Sequence, residues 1–296
     1  MKLVIHMGLH KTASTSFQNF LHLNRNVLLD AGVIYPEIEQ HASHFLIPRR
    51  ILRNNWGFVE DYMKHTLSIA RQRNVKTVLV SSEGFETILL ESFRAAQFEK
   101  LARELGYSEI HWICVLRSQW DYFNSLYAQM STHKVCLNYA EAGHEIVNFG
   151  EISIGNSGIR WRFAFDYDSI IERFLEDIQG SFSVISYDSF VWGDIVGKNL
   201  MNEVFDSEKA KTAFWKSNLN FVEKTNIRID NKVVEVQYLA NFLGIQPTKD
   251  NFAKNENVFT PLIQYRLSGI DSVAEDLRNR FMERFPQISN RLKVSS

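Results

Sequence analysis

Three observations predict an α/β fold, a three-layer arrangement with one parallel sheet flanked by helices on both faces. Short apolar runs rich in Val, Ile and Leu recur along the chain, the first starts almost at residue one, and segments of helical period lie between them. Parallel strands are covered on both faces and so read as continuous apolar runs. Strands that alternate with helices are the mark of a parallel sheet.

The elements follow in order. Leu3–Met7 is the first strand candidate, and from about Ser14 the residues Phe17, Phe20, Leu21, Leu28 and Ala31 gather on one helix face. Gly32 is a natural stop for that helix, and the extended stretch VIYP follows it. Further strands are predicted over Lys76–Ser82, Ile110–Leu116 and Ser181–Tyr187. Helices are predicted over Trp56–Arg73, Phe93–Leu105, Gln119–Ser131, Tyr167–Ile178 and Asn226–Leu243, with a last helix near 262–285 packing on the sheet. Residues 133–165 read as an irregular lid or binding region, and 200–226 as a surface connection. No repeat, low-complexity tract or linker interrupts residues 1–296, so a single domain is expected.

Composition narrows the function. The net charge is -1, so no global field attracts nucleic acid or an anionic membrane, and any anion site must be local. No apolar stretch approaches the length of a membrane span. The opening MKLVIHMGL is interrupted by His6 and followed by His10 and Lys11, which favours a strand over a signal peptide. Two cysteines, Cys114 in an apolar run and Cys136 without metal-ligand spacing, suit a reducing cytoplasm.

The stretch GLHKTASTSFQ joins the first strand to the first helix. Gly8 permits a sharp turn, Lys11 brings a mobile positive charge, and Thr12, Ser14, Thr15 and Ser16 place hydroxyls where the helix begins. A helix N-terminus with its free N–H groups is a ready anion site. The plainer alternative makes Ser14 or Thr12 an N-cap and Lys11 a solvated side chain. The nucleotide loop G-x-x-x-x-G-K-[ST] is not matched, because no second glycine precedes the lysine. A second cluster, VLRSQWDYFNSLY, puts Arg117 at the end of the strand Ile110–Leu116 and Ser125 on the following helix. Arginine suits bidentate capture of a phosphate, although pairing with Asp121 would also explain it.

Together, these two stretches resemble the cofactor motifs of sulfotransferases that use 3'-phosphoadenosine 5'-phosphosulfate (PAPS), and most closely the bacterial branch of that superfamily. GVIYP and LVSSEGF follow at the corresponding places, and Ala13 stands where the family usually has glycine. The resemblance implies a P-loop-type sheet and a metal-independent, in-line transfer of a sulfuryl group to a hydroxyl acceptor, leaving adenosine 3',5'-bisphosphate. It implies that Gly8, His10, Lys11, Thr12, Ala13, Ser14, Thr15 and Ser16 cradle the phosphosulfate, with Lys11 stabilising the leaving phosphate. Arg117 and Ser125 would hold the 3'-phosphate. Such transfer needs a general base, for which Glu83 is favoured and His44 is the rival. Arg160 and Arg162 are further candidates for the 3'-phosphate. A saccharide acceptor is expected by analogy with family members that use glutamate. The rival readings are a small-molecule kinase with a variant P-loop and a non-catalytic nucleotide-binding module.

Overall fold

The structure is a computed structural model that describes residues 1–133, 135, 137–156, 159–221, 231–244 and 256–285. The strands are β1 (Lys2–Gly8), β2 (Val33–Ile34), β3 (Thr77–Ser81), β4 (Glu109–Leu116), β5 (Glu151–Asn156), β6 (Ile159–Ala164) and β7 (Ser181–Ser186). The first helices are α1 (Ser14–Leu23), α2 (Arg25–Asp30), α3 (Leu46–Leu52), α4 (Trp56–Gln72), α5 (Phe85–Leu90) and α6 (Ser92–Leu105). There follow α7 (Gln119–Thr132), α8 (Tyr139–Phe149), α9 (Tyr167–Asp177), α10 (Tyr187–Val191), α11 (Lys198–Val204), α12 (Glu208–Lys216), α13 (Asn231–Phe242) and α14 (Glu256–Arg284). The sequence marks no boundary, yet the residues gather into two compact units: Met1–Arg117 with Asp168–Asn226, and Ser118–Tyr167 with Ile227–Ser296. Both units are discontinuous in the chain, so no linker composition announces them.

The first unit carries a five-stranded sheet in the order β2-β3-β1-β4-β7. Every pairing is parallel, as the predicted fold class requires. Leu3, Val4, Ile5, Val78, Leu79 and Val80 are fully buried, because helices cover the sheet. Successive side chains of β4 serve opposite layers. Ile113 and Val115 join a core with Phe17, Phe20 and Leu200, whereas Trp112 packs edge-on against Phe85 and Phe174. Trp112 Nε1 donates to the buried carboxylate of Glu99 at 2.7 Å. Glu99 also accepts from the backbone N–H groups of Gln179 and Gly180 at the start of β7, so it ties α6 to two strands.

Several expected elements are corrected. The helix expected to run from Ser14 to Ala31 breaks at Asn24, whose buried side chain donates to Phe20 O (2.8 Å) and Asn220 O (2.9 Å). The supposed surface connection of 200–226 instead contributes α11 and α12, whose Leu200, Met201, Val204 and Phe214 are buried. VIYP supplies the short edge strand β2, and α3 and α5 were not anticipated.

The second unit overturns the irregular reading of 133–165. Asn138 caps α8 by accepting from Glu141 N–H, and Gly150 closes it in the left-handed conformation (φ 73). β5 and β6 then pair as an antiparallel hairpin. Alternation of Ile152 and Ile154 with polar neighbours is a strand signal obscured by the surrounding glycines. The last helix, α14, packs against α7, α8 and α13 of its own unit. Leu277 of α14 approaches Gly143 so closely that a Cβ there would lie 2.8 Å from its Cδ1. Among the described residues, no helix is long and apolar enough to cross a membrane. Cys114 is buried as expected, and Cys136 lies outside the described residues.

Candidate anion site at the sheet edge

Parallel pairing sets the site. The strand ends Gly8, Ser81, Leu116 and Ser186 align on one edge, because β1 registers with β3 and β4, and Leu116 lies opposite Ser186. The next residues of each strand therefore emerge together: the loop from Leu9, then Glu83, Arg117 and Tyr187. Ligands of open α/β sheets bind at this carboxyl edge, where the chain leaves a central strand in opposite directions.

The loop between β1 and α1 is held tightly. Thr12 Oγ1 donates to Leu9 O at 2.6 Å and lies 3.2 Å from Ser14 Oγ. A Cβ on Gly8 would fall 2.0 Å from Ser14 Oγ, so only glycine lets these hydroxyls close over the strand end. Lys11 (φ 64) and Ala13 (φ 61) occupy the left-handed region on either side of Thr12. Alternating φ signs of this kind turn successive N–H groups inward as an anion-binding nest. Ala13 is the N-cap of α1 and makes no side-chain cap bond, so neither Thr12 nor Ser14 plays the expected capping alternative. Thr12, Ser14 and Ser16 are buried, and Thr15 is exposed.

Arg117 reaches this loop directly: its guanidinium donates to Lys11 O at 3.2 Å and lies over the Tyr187 ring, 4.6 Å from its centroid. The Lys11 ammonium is pulled below its usual range first by burial and then by the charge of Arg117, with Glu83 acting in the opposite direction. Lys11, the Arg117 charge that acts on it and a carboxylate within electrostatic reach form a local charge cluster in a protein of nearly zero net charge. An anion held between Lys11 and Arg117 relieves their repulsion.

Two carboxylates flank the loop from the turn after β3. Glu83 is half-buried and within electrostatic reach of both Lys11 and His10. Glu86, at the start of α5, is fully buried, and its Oε2 accepts from His10 N–H (3.0 Å) and His10 Nδ1 (2.7 Å). Burial pulls the His10 pKa down, but the hydrogen bond and charge of Glu86, aided by Glu83, outweigh it and leave the pKa raised.

His44 does not belong with these groups. It is buried, Ser81 N–H donates to its Nδ1 at 3.1 Å, and its Nε2 then donates to Pro36 O at 2.8 Å. Both nitrogens are committed to the backbone and burial drives the pKa down to about 4, so His44 pins the 41–45 loop to β3. Ser125 stands half-buried on α7 of the second unit. Arg162 pairs with Glu151 across the hairpin (2.9 Å), and the Arg160 side chain lies outside the described residues. Sequence reasoning missed Glu86 and Tyr187. Tyr187 follows directly from the alignment of the ends of β4 and β7, whereas Glu86 required knowing that α5 turns back toward β1.

A cavity of about 530 Å³ lies at the opposite, amino edge of the sheet. There His111 binds Ser181 Oγ (2.7 Å) and Glu203 Oε2 (2.9 Å), an arrangement of hydroxyl, imidazole and carboxylate. The adjacent N–H groups of Gln179 and Gly180 are directed at Glu99, which leaves neither to stabilise an oxyanion at Ser181. Among the described residues, no group of three His, Cys, Asp or Glu side chains is arranged to hold a metal ion. Fold and site together define a parallel α/β protein with a hydroxyl-rich loop, Lys11 and Arg117 at the carboxyl edge of its sheet. No protein-family model matches the chain, and neither a curated protein nor a solved structure matches it.

Proposed function

We propose that the protein is a cytoplasmic sulfotransferase that moves a sulfuryl group from PAPS to a hydroxyl acceptor, with a saccharide the favoured class. The observation that carries this reading is the convergence of Lys11 and Arg117, linked by a 3.2 Å hydrogen bond to the loop backbone and facing Glu83. Bound PAPS supplies an activated sulfuryl group on a phosphate. The inward N–H groups of the loop, with Thr12, Ser14 and Ser16, hold the phosphosulfate. Glu83 takes the hydroxyl proton as the acceptor oxygen attacks sulfur from the side opposite the phosphate. The bond between sulfur and the bridging oxygen breaks, and Lys11 stabilises the charge left on the phosphate. Arg117 serves the second phosphate, with Tyr187 holding the guanidinium plane.

Ligand that binds only the native state raises the melting temperature by mass action. Adenosine 3',5'-bisphosphate without magnesium is expected to raise it, and Lys11→Ala and Arg117→Ala to lose most of that shift. Glu83→Gln should keep the shift yet lose transfer to hydroxyl acceptors. A response to ATP with magnesium, and none to the bisphosphate, would replace this reading with a kinase. Binding without turnover on any hydroxyl acceptor would leave a nucleotide-binding module.

A further inference from the structure

Glu86 has no part in the transfer just described, yet it is the most deeply buried acidic group beside the loop, at 0% exposure. A buried carboxylate is costly unless it is paired and hydrogen-bonded. Glu86 meets that condition through His10: one oxygen accepts from both the backbone and the imidazole of the same residue. The pair joins the loop after β1 to the turn that carries Glu83, since Glu86 N–H also donates to Glu83 O at 3.0 Å.

We propose that Glu86 is a positioning residue for the donor site, holding His10 as a second cation beside Lys11 for the phosphosulfate end of the donor. This inference rests on the sulfotransferase reading. The imidazole remains about a quarter exposed. The groups within reach of it are Glu86 from α5, Glu83 from the turn after β3, and Lys11 from its own loop. Burial, and to a lesser extent Lys11, opposes the charged ring, and the two carboxylates favour it. The balance leaves His10 with a raised pKa, so it carries charge at pH values where an ordinary histidine is neutral. Donor affinity should accordingly fall as pH rises through the His10 titration, and Glu86 should set where that fall begins.

The test uses the full chain and adenosine 3',5'-bisphosphate. Calorimetric affinity is measured between about pH 7 and 9, where the ligand phosphates are already ionised, and the His10 ring is followed by NMR. Wild type should lose up to about tenfold in affinity per pH unit above the His10 midpoint. Glu86→Gln should move that midpoint down, and His10→Gln should bind more weakly at low pH with a flat profile. An unshifted His10 titration in Glu86→Gln overturns the proposal. If Glu86→Gln does not fold, His10→Gln decides alone: a pH dependence that persists belongs to Lys11 and also overturns it. Failure of wild type to bind the bisphosphate at any pH refutes the donor reading instead, which the NMR titration distinguishes from failure of the Glu86 role.

Discussion

At the residue scale, Gly8 and Ala13 show how closely the loop is constrained. Ala13 takes the left-handed conformation (φ 61) that glycine tolerates best, at a cost of about 1 kcal/mol or more. Its methyl group is packed in the core beside Phe17, which offsets part of that strain. Gly8 has no such latitude, because an added Cβ would meet Ser14 Oγ and Thr12 Oγ1 at 2.0 and 2.9 Å. Gly8→Ala is expected to cost about 1–3 kcal/mol and to weaken bisphosphate binding. Gly57→Ala, exposed at the start of α4 with open space around it, should change stability by no more than about 0.5 kcal/mol. Urea denaturation of the two variants checks this, and equal effects would mean that the loop relaxes freely. Residue types alone pointed to Lys11 and Arg117, since strand ends and charge are visible in order along the chain. They could not place His44, because a histidine in a polar loop and one buried between a backbone N–H and a carbonyl read identically until packing is known.

At the element scale, period and punctuation located most strands and long helices, and failed where one side chain settles the boundary. Nothing in the apolar pattern from Phe17 to Ala31 announces the break at Asn24. The break depends on Asn220, 196 positions away, whose N–H donates to Asn24 Oδ1 at 2.8 Å. Asn24→Ala would remove both side-chain bonds to Asn220 while Phe20 O keeps the Asn24 N–H, at an expected cost of about 1–2 kcal/mol. Asn24→Asp restores only the acceptor and should recover part of the loss. Denaturant midpoints of the two variants check this, and a neutral Asn24→Ala would show that the helix simply straightens. The hairpin β5-β6 was hidden for a related reason: short polar strands gain their stability from pairing, which no local window contains.

At the scale of the whole molecule, the sheet buries titratable groups that local pattern places only roughly. Burial drives His6, stacked on Phe190 and edge-on to Phe17, down to about 3, and His44 down to about 4. In the unfolded chain both titrate near 6.5. Between those values the unfolded state binds more protons, so stability rises with pH and is lost as pH falls from about 6.5 toward 4. Each histidine contributes a slope of up to about 1.4 kcal/mol per pH unit in that window. His10 has the opposite sign: its raised pKa gives stability that is complete below about 6.5 and is lost as pH climbs through the folded value. Denaturation at a series of pH values should show this acid decline, with the His6 and His44 ring resonances unchanged down to about pH 5. Ordinary titration of both rings near 6.5 would refute it.

Covalent order and residue type by themselves determined the fold class, the loop after the first strand, and the cations at positions 11 and 117, because each is a local property of composition and period. Tertiary structure alone decided that those cations share one edge, that Glu86 rather than solvent receives His10, and that His44 is a pin. Parallel register and burial are properties of segments distant in the chain, and they govern which polar groups meet and which are withdrawn from water.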